Sequence, residues 1–510
     1  MSRTEAAPTA SAQPASRRHG TDEEPRPAVI VANRAFLDHH FPRGSEEKTQ
    51  PGDGGLLAAL RPVIVPWDGE TGTLWIGAGR GRFDREWVDD QGYELISTSN
   101  GALRHRRLLF DEETWRAHYA AVANSFFWPL LHLLRESLPE RTGYFPAPQS
   151  PSRADWEAYE RVNRAFAQAA IELPGVRPCW VHDYQLALTP QFLRERGYRG
   201  PIGFFLHTPF PVLEVAQRTL DGSGREAFSR FVAGLLGADL VGFQSEIDVR
   251  RFCVAATALC GAEAVQGGVV TDGRVVKLAA YPVGIDTESV LQAAEGQRPA
   301  RLEKFASEEL PLVVGLERSD FTKGIPERLN AVAQAYRGGA RFAYLGVAAP
   351  TREGVPAYVG LEAVISAAAD EARLAASAAG LPFVHTREVI DWAEVVALQR
   401  AADVVYTSSI ADGMNLVPLQ AAIAQSQLPE HERAVIITGR DAGVASVFAG
   451  FEKDGLVPVD PLDIGAMSDA LTEAISGRPG RISDRLVSAV MANDARNWAA
   501  RFLGALDAAC

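Results

Sequence analysis

Two cations five residues apart, Arg318 and Lys323, stand in the run Glu317-Arg318-Ser319-Asp320-Phe321-Thr322-Lys323-Gly324, directly after the apolar stretch Leu312 to Leu316. If that stretch is a strand, both side chains leave the sheet edge together. Such a pair suits a diphosphate, because it clamps the group and holds the charge that grows as the group departs. Two solvated surface charges are the plainer alternative. Pro350-Thr351-Arg352 follows another apolar run and offers a third cation. Asp412-Gly413-Met414-Asn415-Leu416-Val417 opens a helix whose free N–H groups suit phosphate oxygens. Asp412 there either holds a sugar hydroxyl or serves as an ordinary helix cap. No Gly-x4-Gly-Lys-Ser/Thr loop is present, so this is not a Walker site.

The first half carries a second set. Its opening run ends in Val31-Ala32-Asn33-Arg34, and the turn Pro51-Gly52-Asp53-Gly54-Gly55-Leu56 follows. Gly54 and Gly55 let the backbone approach a phosphate, although a plain turn would use the same residues. Tyr119, Asn124, Trp128 and His132 are spaced as core aromatics usually are. Trp180-Val181-His182-Asp183-Tyr184-Gln185-Leu186 puts polar groups at the end of a strand, where α/β sheets bind ligands. His-Asp suggests a nucleophile triad, but no serine elbow or reactive cysteine accompanies it. Gly203-Phe204-Phe205-Leu206-His207-Thr208-Pro209 repeats the pattern and reads as a rigid turn.

These groups need parallel sheets to position them. Strands are predicted at Ala28 to Ala32, Trp180 to His182, Ile202 to Leu206, Leu240 to Phe243 and Leu278 to Pro282. A second series is predicted at Leu312 to Leu316, Phe342 to Gly346, Ala402 to Tyr406, Val435 to Thr438 and Leu456 to Val459. Helical stretches such as Ala154 to Ile171, Glu327 to Tyr336 and Trp392 to Ala401 alternate with them. Strand, helix, strand in repetition gives an α/β fold of two doubly wound, Rossmann-like halves facing a cleft. The polar stretch from Gly284 to Ser307 is the expected linker, and residues 1–26 the expected disordered tail. A net charge of −13 without a long basic run argues against nucleic acid. No apolar run suits a membrane span, and four scattered cysteines (Cys179, Cys253, Cys260, Cys510) suit neither a disulfide scaffold nor a zinc site. A cytoplasmic protein is expected.

Taken together, the segments Trp180 to Leu186, Gly203 to Pro211, Val241 to Gln244, Tyr281 to Asp286, Arg318 to Arg328, Asp412 to Val417 and Asn493 to Leu503 resemble the trehalose-6-phosphate synthases. Those are retaining glycosyltransferases of the GT-B fold. The resemblance implies an acceptor-binding domain over 27–290, a nucleotide-sugar domain over 305–485, and a helix over 486–510 that crosses back. It assigns Arg318, Lys323 and the amides of Asn415, Leu416 and Val417 to the donor diphosphate, and His182 and Asp412 to the donor sugar. Gly55, beside Gly54, would close over the reacting centre, and the position of Gln420 would meet the ribose. Arg34, Tyr119, Trp128, Tyr159 and Arg352 would hold a phosphorylated acceptor. No metal or other cofactor is implied, since the cations neutralise the leaving diphosphate. No matched position supplies a carboxylate nucleophile, which suits front-face displacement. Self-association is common in the family, so a homo-oligomer is possible.

The pattern also departs from the family. Ala78 stands where a second tryptophan lines the acceptor pocket, which predicts more room there. Gln420 replaces a glutamate, and Ala411 an arginine; Ala367-Ala368-Ala369-Asp370-Glu371 replaces an Ile-Asn-Gly signature. The departures admit two alternatives: a transferase of secondary metabolism acting on a cyclitol or modified sugar, including pseudo-glycosyltransferases that couple through nitrogen, and an inactive homologue sensing sugar phosphates. A dinucleotide oxidoreductase is excluded, because no Gly-x-Gly-x-x-Gly follows the first strand.

Overall fold

A computed structural model describes residues 28–45, 55–173, 175, 177–305, 310–352, 354–478 and 480–509. The expected tail and Gly54 lie outside them. The alternation of apolar runs and helices resolves into two sheets. In spatial order the first consists of Tyr93–Thr98, Gly101–Leu108, Leu74–Ala78, Val29–Arg34, Cys179–His182, Ile202–Phe205, Leu240–Phe243, Arg274–Ala280, Gly268–Thr271 and Glu263–Val265. Its middle, from Gly101–Leu108 to Arg274–Ala280, is parallel, and antiparallel strands close both ends.

The second sheet is parallel throughout, in the order Phe383–Thr386, Ala343–Ala349, Leu312–Arg318, Val404–Tyr406, Val435–Gly439 and Leu456–Val459. In each sheet the strand order reverses once near the centre, and the crevice beyond such a reversal is where open α/β sheets take ligands. In the second sheet the reversal lies between Leu312–Arg318 and Val404–Tyr406. In the first it lies between Val29–Arg34 and Cys179–His182, paired Val31 to Val181 and Ala32 to His182. Arg34 and His182 therefore leave adjacent carboxyl ends.

Three differences from the sequence reading have physical causes. The strand expected at Leu278 to Pro282 runs from Arg274 to Ala280, because it also pairs antiparallel with Gly268–Thr271 and so starts inside a charged stretch. The polar stretch after Gly284 contains the helix Thr287–Ala294, started by the Asp286 carboxylate accepting from Ser289 N at 3.3 Å. The segment expected as one crossing helix is two helices, Asp484–Ala492 and Ala495–Asp507.

The last of these lays Trp498, Phe502 and Leu506 on the first sheet, all fully buried. Trp180 meets Phe502 at 4.7 Å and Trp498 at 4.9 Å between ring centroids. Gly203 and Gly242 make room for that contact, since a Cβ on either would lie 2.7 Å from the Phe502 ring. Arg135 joins the halves again, pairing with Asp441 and, at 2.8 Å, with Asp460. Among the described residues no helix is long and apolar enough to cross a membrane.

Candidate active site

Side chains alternate along the strand Leu312–Arg318, so its last two residues part company: Glu317 turns inward and Arg318 is exposed. Glu317 forms a fully buried ion pair with Arg328, which also donates to Tyr406 O at 3.1 Å. Beyond Arg318 the chain makes a tight turn, Phe321–Lys323, started by Asp320. Gly324 completes it at φ +60, with the site of a Cβ only 2.2 Å from Ser408 O, so this position requires glycine. The turn delivers Lys323 onto Asp412, where the two form a salt bridge that Ser409 Oγ supports at 3.1 Å. Burial pushes the Asp412 carboxyl up, but Lys323 outweighs it and holds the group below the usual range as a carboxylate.

Asn415 sits in the left-handed region at φ 61. Its amide nitrogen donates to Glu317 Oε1 at 3.3 Å and Ser409 Oγ at 3.1 Å, and its oxygen accepts from Val417 N at 3.2 Å. The helix Val417–Ala424 begins there. Polar contacts thus run unbroken from Arg328 through Glu317, Asn415, Ser409 and Asp412 to Lys323 beneath one loop surface. Arg318, by contrast, carries no ion pair among the described residues. Lys323 was expected on the donor diphosphate and Asp412 on the donor sugar; the structure pairs the two with one another. Gln420 is half-buried at the same helix.

The opposite wall comes from the first sheet. Residues Ala117–Phe127 form a π-helix, whose wide turn brings positions five apart onto one face. Asn124 accordingly donates to Tyr119 O at 2.7 Å, and Trp128 follows at the next turn. Arg352, held at φ 48, reaches across and lies over the Trp128 ring at 3.7 Å. It donates from Nε to Asn124 Oδ1 at 2.8 Å and pairs with Asp320. Gly413 backs onto His207, where a Cβ would sit 1.8 Å from the carbonyl oxygen, and a Cβ on Gly55 would lie 3.6 Å from Leu416 Cδ1. The two halves therefore meet around the residues singled out above.

His182 is fully buried, with Nδ1 3.1 Å from His207 Nε2, and its own Nε2 has no partner among the described residues. Burial, then the neighbouring His207, drives the His182 pKa far down, so the ring is neutral and offers one donor and one acceptor nitrogen. Burial likewise pushes His207 down to about 3 and His132 to about 4. Burial pushes the Asp183 carboxyl up to about 7. Asp183 stands at φ 73 and accepts from His207 N at 3.2 Å.

Two expectations are corrected. Tyr159, assigned to the acceptor, is fully buried, and its hydroxyl donates to Tyr184 O at 2.6 Å, so it braces the wall from behind. Ala78 pairs in register with Arg34 and is 1% exposed, so no room opens at its methyl group. Arg34 is exposed at its strand end, and its side chain has no partner among the described residues. Sequence reasoning missed Asp320 and Tyr358 as site residues. The signal for Asp320 was its place between two cations; Tyr358 had none. No group of three or more His, Cys, Asp or Glu gathers for a metal among the described residues.

The Glycosyltransferase family 20 profile matches residues 26–508. A trehalose-6-phosphate synthase of Mycobacterium sp. (strain KMS) is 30% identical over 504 residues, 94% of each chain. An Arabidopsis thaliana UDP-forming alpha,alpha-trehalose-phosphate synthase is 29% identical over 465 residues, 88% of this chain but 46% of that longer one. Among solved structures, the UDP-forming alpha,alpha-trehalose-phosphate synthase of Burkholderia xenovorans in complex with glucose-6-phosphate superposes with a TM-score of 0.74 at 26% identity, covering 94% of this chain and all of that one. The E. coli protein bound with UDP-2-fluoro glucose gives 0.74 at 25% identity, over 94% of this chain and 98% of that one. The match over nearly the whole chain, on two sheets facing each other as in the GT-B fold, establishes that this chain belongs to Glycosyltransferase family 20 and is a glycosyltransferase of the trehalose-6-phosphate synthase family.

Proposed function

We propose that this enzyme moves a glucosyl group from a UDP-sugar to glucose 6-phosphate with retention, forming the α,α-1,1 linkage of trehalose 6-phosphate. The observation that carries the reading is the pair of cations without an ion-pair partner among the described residues, Arg318 and Arg34, at the two strand-order reversals of the facing sheets. Each is available to one phosphorylated substrate. The relatives named UDP-forming, and the neighbours bound with glucose-6-phosphate and UDP-2-fluoro glucose, support the choice of substrates.

In this scheme Arg318 takes the leaving diphosphate, with Lys323 adding a second positive group once its bond to Asp412 loosens or is shared. The amides of Asn415 and Leu416 are available to the same phosphates, whereas that of Val417 already donates to Asn415 Oδ1. His182 and Asp412 hold donor hydroxyls, and neutral His182 does so without adding charge where the sugar becomes cationic. Arg34, Tyr119, Trp128 and Arg352 hold the acceptor. The reaction then depends on orientation in a closed cleft, with positive charge supplied by side chains and the acceptor's proton passing to the departing phosphate oxygen. A cytoplasmic site of action fits the substrates.

Thermal stability in the presence of UDP, GDP, ADP or TDP, each with and without glucose 6-phosphate, tests the proposal. UDP alone of the four should stabilise the protein, and glucose 6-phosphate should add to the shift. Arg318→Ala should abolish the UDP shift and cut turnover by about 10²–10³. If no nucleotide stabilises the wild type, or if UDP-glucose with glucose 6-phosphate yields no disaccharide phosphate, the transferase assignment of these substrates is wrong.

A further inference from the structure

Asp320 lies between the two cations of the donor loop, yet its carboxylate faces the acceptor wall. Oδ1 accepts from Trp128 Nε1 at 3.2 Å, and Oδ2 takes the Arg352 guanidinium and the Tyr358 hydroxyl, the latter at 3.1 Å. Oδ1 also accepts from Thr322 N at 3.2 Å and Oγ1 at 3.1 Å, which ties the carboxylate to the turn that presents Lys323. Asp320 is completely buried, and Arg352 and Arg318 outweigh burial to hold its carboxyl well below the usual range. Arg352 in turn rests on Trp128 and bonds to Asn124, both on the first half. Its backbone stands at φ 48, a strained value for arginine that persists where surroundings over-determine it.

We infer that Asp320 is a positioning residue that couples the two substrates: it fixes Trp128 and Arg352 of the acceptor pocket to the loop carrying Arg318 and Lys323. Donor phosphates held by Arg318 and Lys323 steady the turn Phe321–Lys323 further, and through Asp320 that turn holds Trp128 and Arg352 in place. Glucose 6-phosphate therefore binds the nucleotide-loaded enzyme more tightly than the free one, and by linkage it tightens nucleotide binding by the same factor. The inference rests on the proposed assignment of Trp128 and Arg352 to the acceptor.

The test compares wild type with Asp320→Asn, which keeps the size and loses the charge. UDP affinity is measured by calorimetry with and without glucose 6-phosphate, and steady-state KM is measured for both substrates. The expected result is UDP affinity alone within about twofold of wild type, a glucose 6-phosphate KM raised at least about tenfold, and no tightening of UDP by glucose 6-phosphate. Trp128→Phe, which keeps the ring under Arg352 but removes the Nε1 donor, should show the same pattern more weakly, and it carries the test if Asp320→Asn does not fold. An unchanged acceptor KM, or equal losses of UDP and acceptor affinity, would overturn the coupling role while leaving the transferase reading intact. A wild type that neither binds UDP nor turns over would sink both together.

Discussion

Beneath the second-sheet edge, charge is kept and paired: Glu317 with Arg328, Lys323 with Asp412, Asp320 with Arg352. Around the strand-order reversal of the first sheet, burial instead leaves His118, His182 and His207 as neutral rings among aromatics. The difference follows from what each side must do. A departing diphosphate demands positive charge in a water-poor setting, so the largely buried Lys323 is countered by Asp412 until substrate arrives, while Arg318 stands exposed at the rim. An acceptor needs a shaped wall with donors and acceptors in place, and a charged imidazole there would compete with the cations for the phosphate.

Arg328→Met removes the most deeply buried of the donor-side pairs. The Glu317 carboxylate, whose side chain is fully buried, loses its ion-pair partner, which costs about 3–5 kcal/mol. Urea unfolding should register that loss, and Glu317→Leu combined with Arg328→Met should recover much of it. A loss below about 1 kcal/mol in the single variant would show that the donor side does not depend on paired charge.

A comparable effect on the first-sheet side is read by pH. His118, His132 and His207 have folded pKa values pushed down to about 3, 4 and 3, so between those values and about 6.5 the unfolded chain binds more protons. Their contribution makes stability rise with pH through that window. Asp183 acts oppositely: raised to about 7, it keeps its proton in the fold after the unfolded chain has lost it. Its contribution therefore falls from about pH 4 to 7, by up to about 1.4 kcal/mol per pH unit. Asp183→Asn should steepen the rise of unfolding free energy with pH across that range, and parallel curves for variant and wild type would refute the assignment.

The second half was the more legible in the sequence, and for the same reason. Its strands are covered on both faces, so Leu312 to Leu316, Val435 to Thr438 and Leu456 to Val459 read as apolar runs, and its cations follow them directly. The first sheet extends to edges whose strands alternate or carry charge. Gly101–Leu108 includes Arg104, His105, Arg106 and Arg107, and it gave no apolar signal. Those charges are satisfied only in three dimensions, with Arg107 paired to Asp84 at 2.9 Å and to Glu94. Arg318 and Asp412 could be placed at the candidate site from position alone, the first at the end of one strand of the second sheet and the second shortly after another. Asp320's partners were not, because Trp128, Arg352 and Tyr358 come from segments far apart in the chain. Tyr159 was placed in the site by resemblance, but its spacing within the helix Arg153–Ile171 puts it on the face that packs inward.

Gln420→Glu is the least disruptive change and adds charge at a donor-side position that carries none. Gln420 is half-buried one turn into the helix Val417–Ala424, and its side chain has no hydrogen-bond partner among the described residues. A carboxylate there can accept from both ribose hydroxyls, whereas the amide offers a single acceptor oxygen. Hydrogen bonds to a charged group are worth about 1.5–3 kcal/mol when fully made, and at this half-buried position the lower end applies. Gln420→Glu should therefore tighten UDP about tenfold in calorimetry, leaving the glucose 6-phosphate KM within about twofold. The helix start opposes part of the gain only if its amides are already occupied by phosphate, because a free N-terminal turn favours an acidic side chain. Tightening of UDP without a change for the free base uracil would locate the effect at the ribose, and equal or weaker UDP binding would remove position 420 from the donor site.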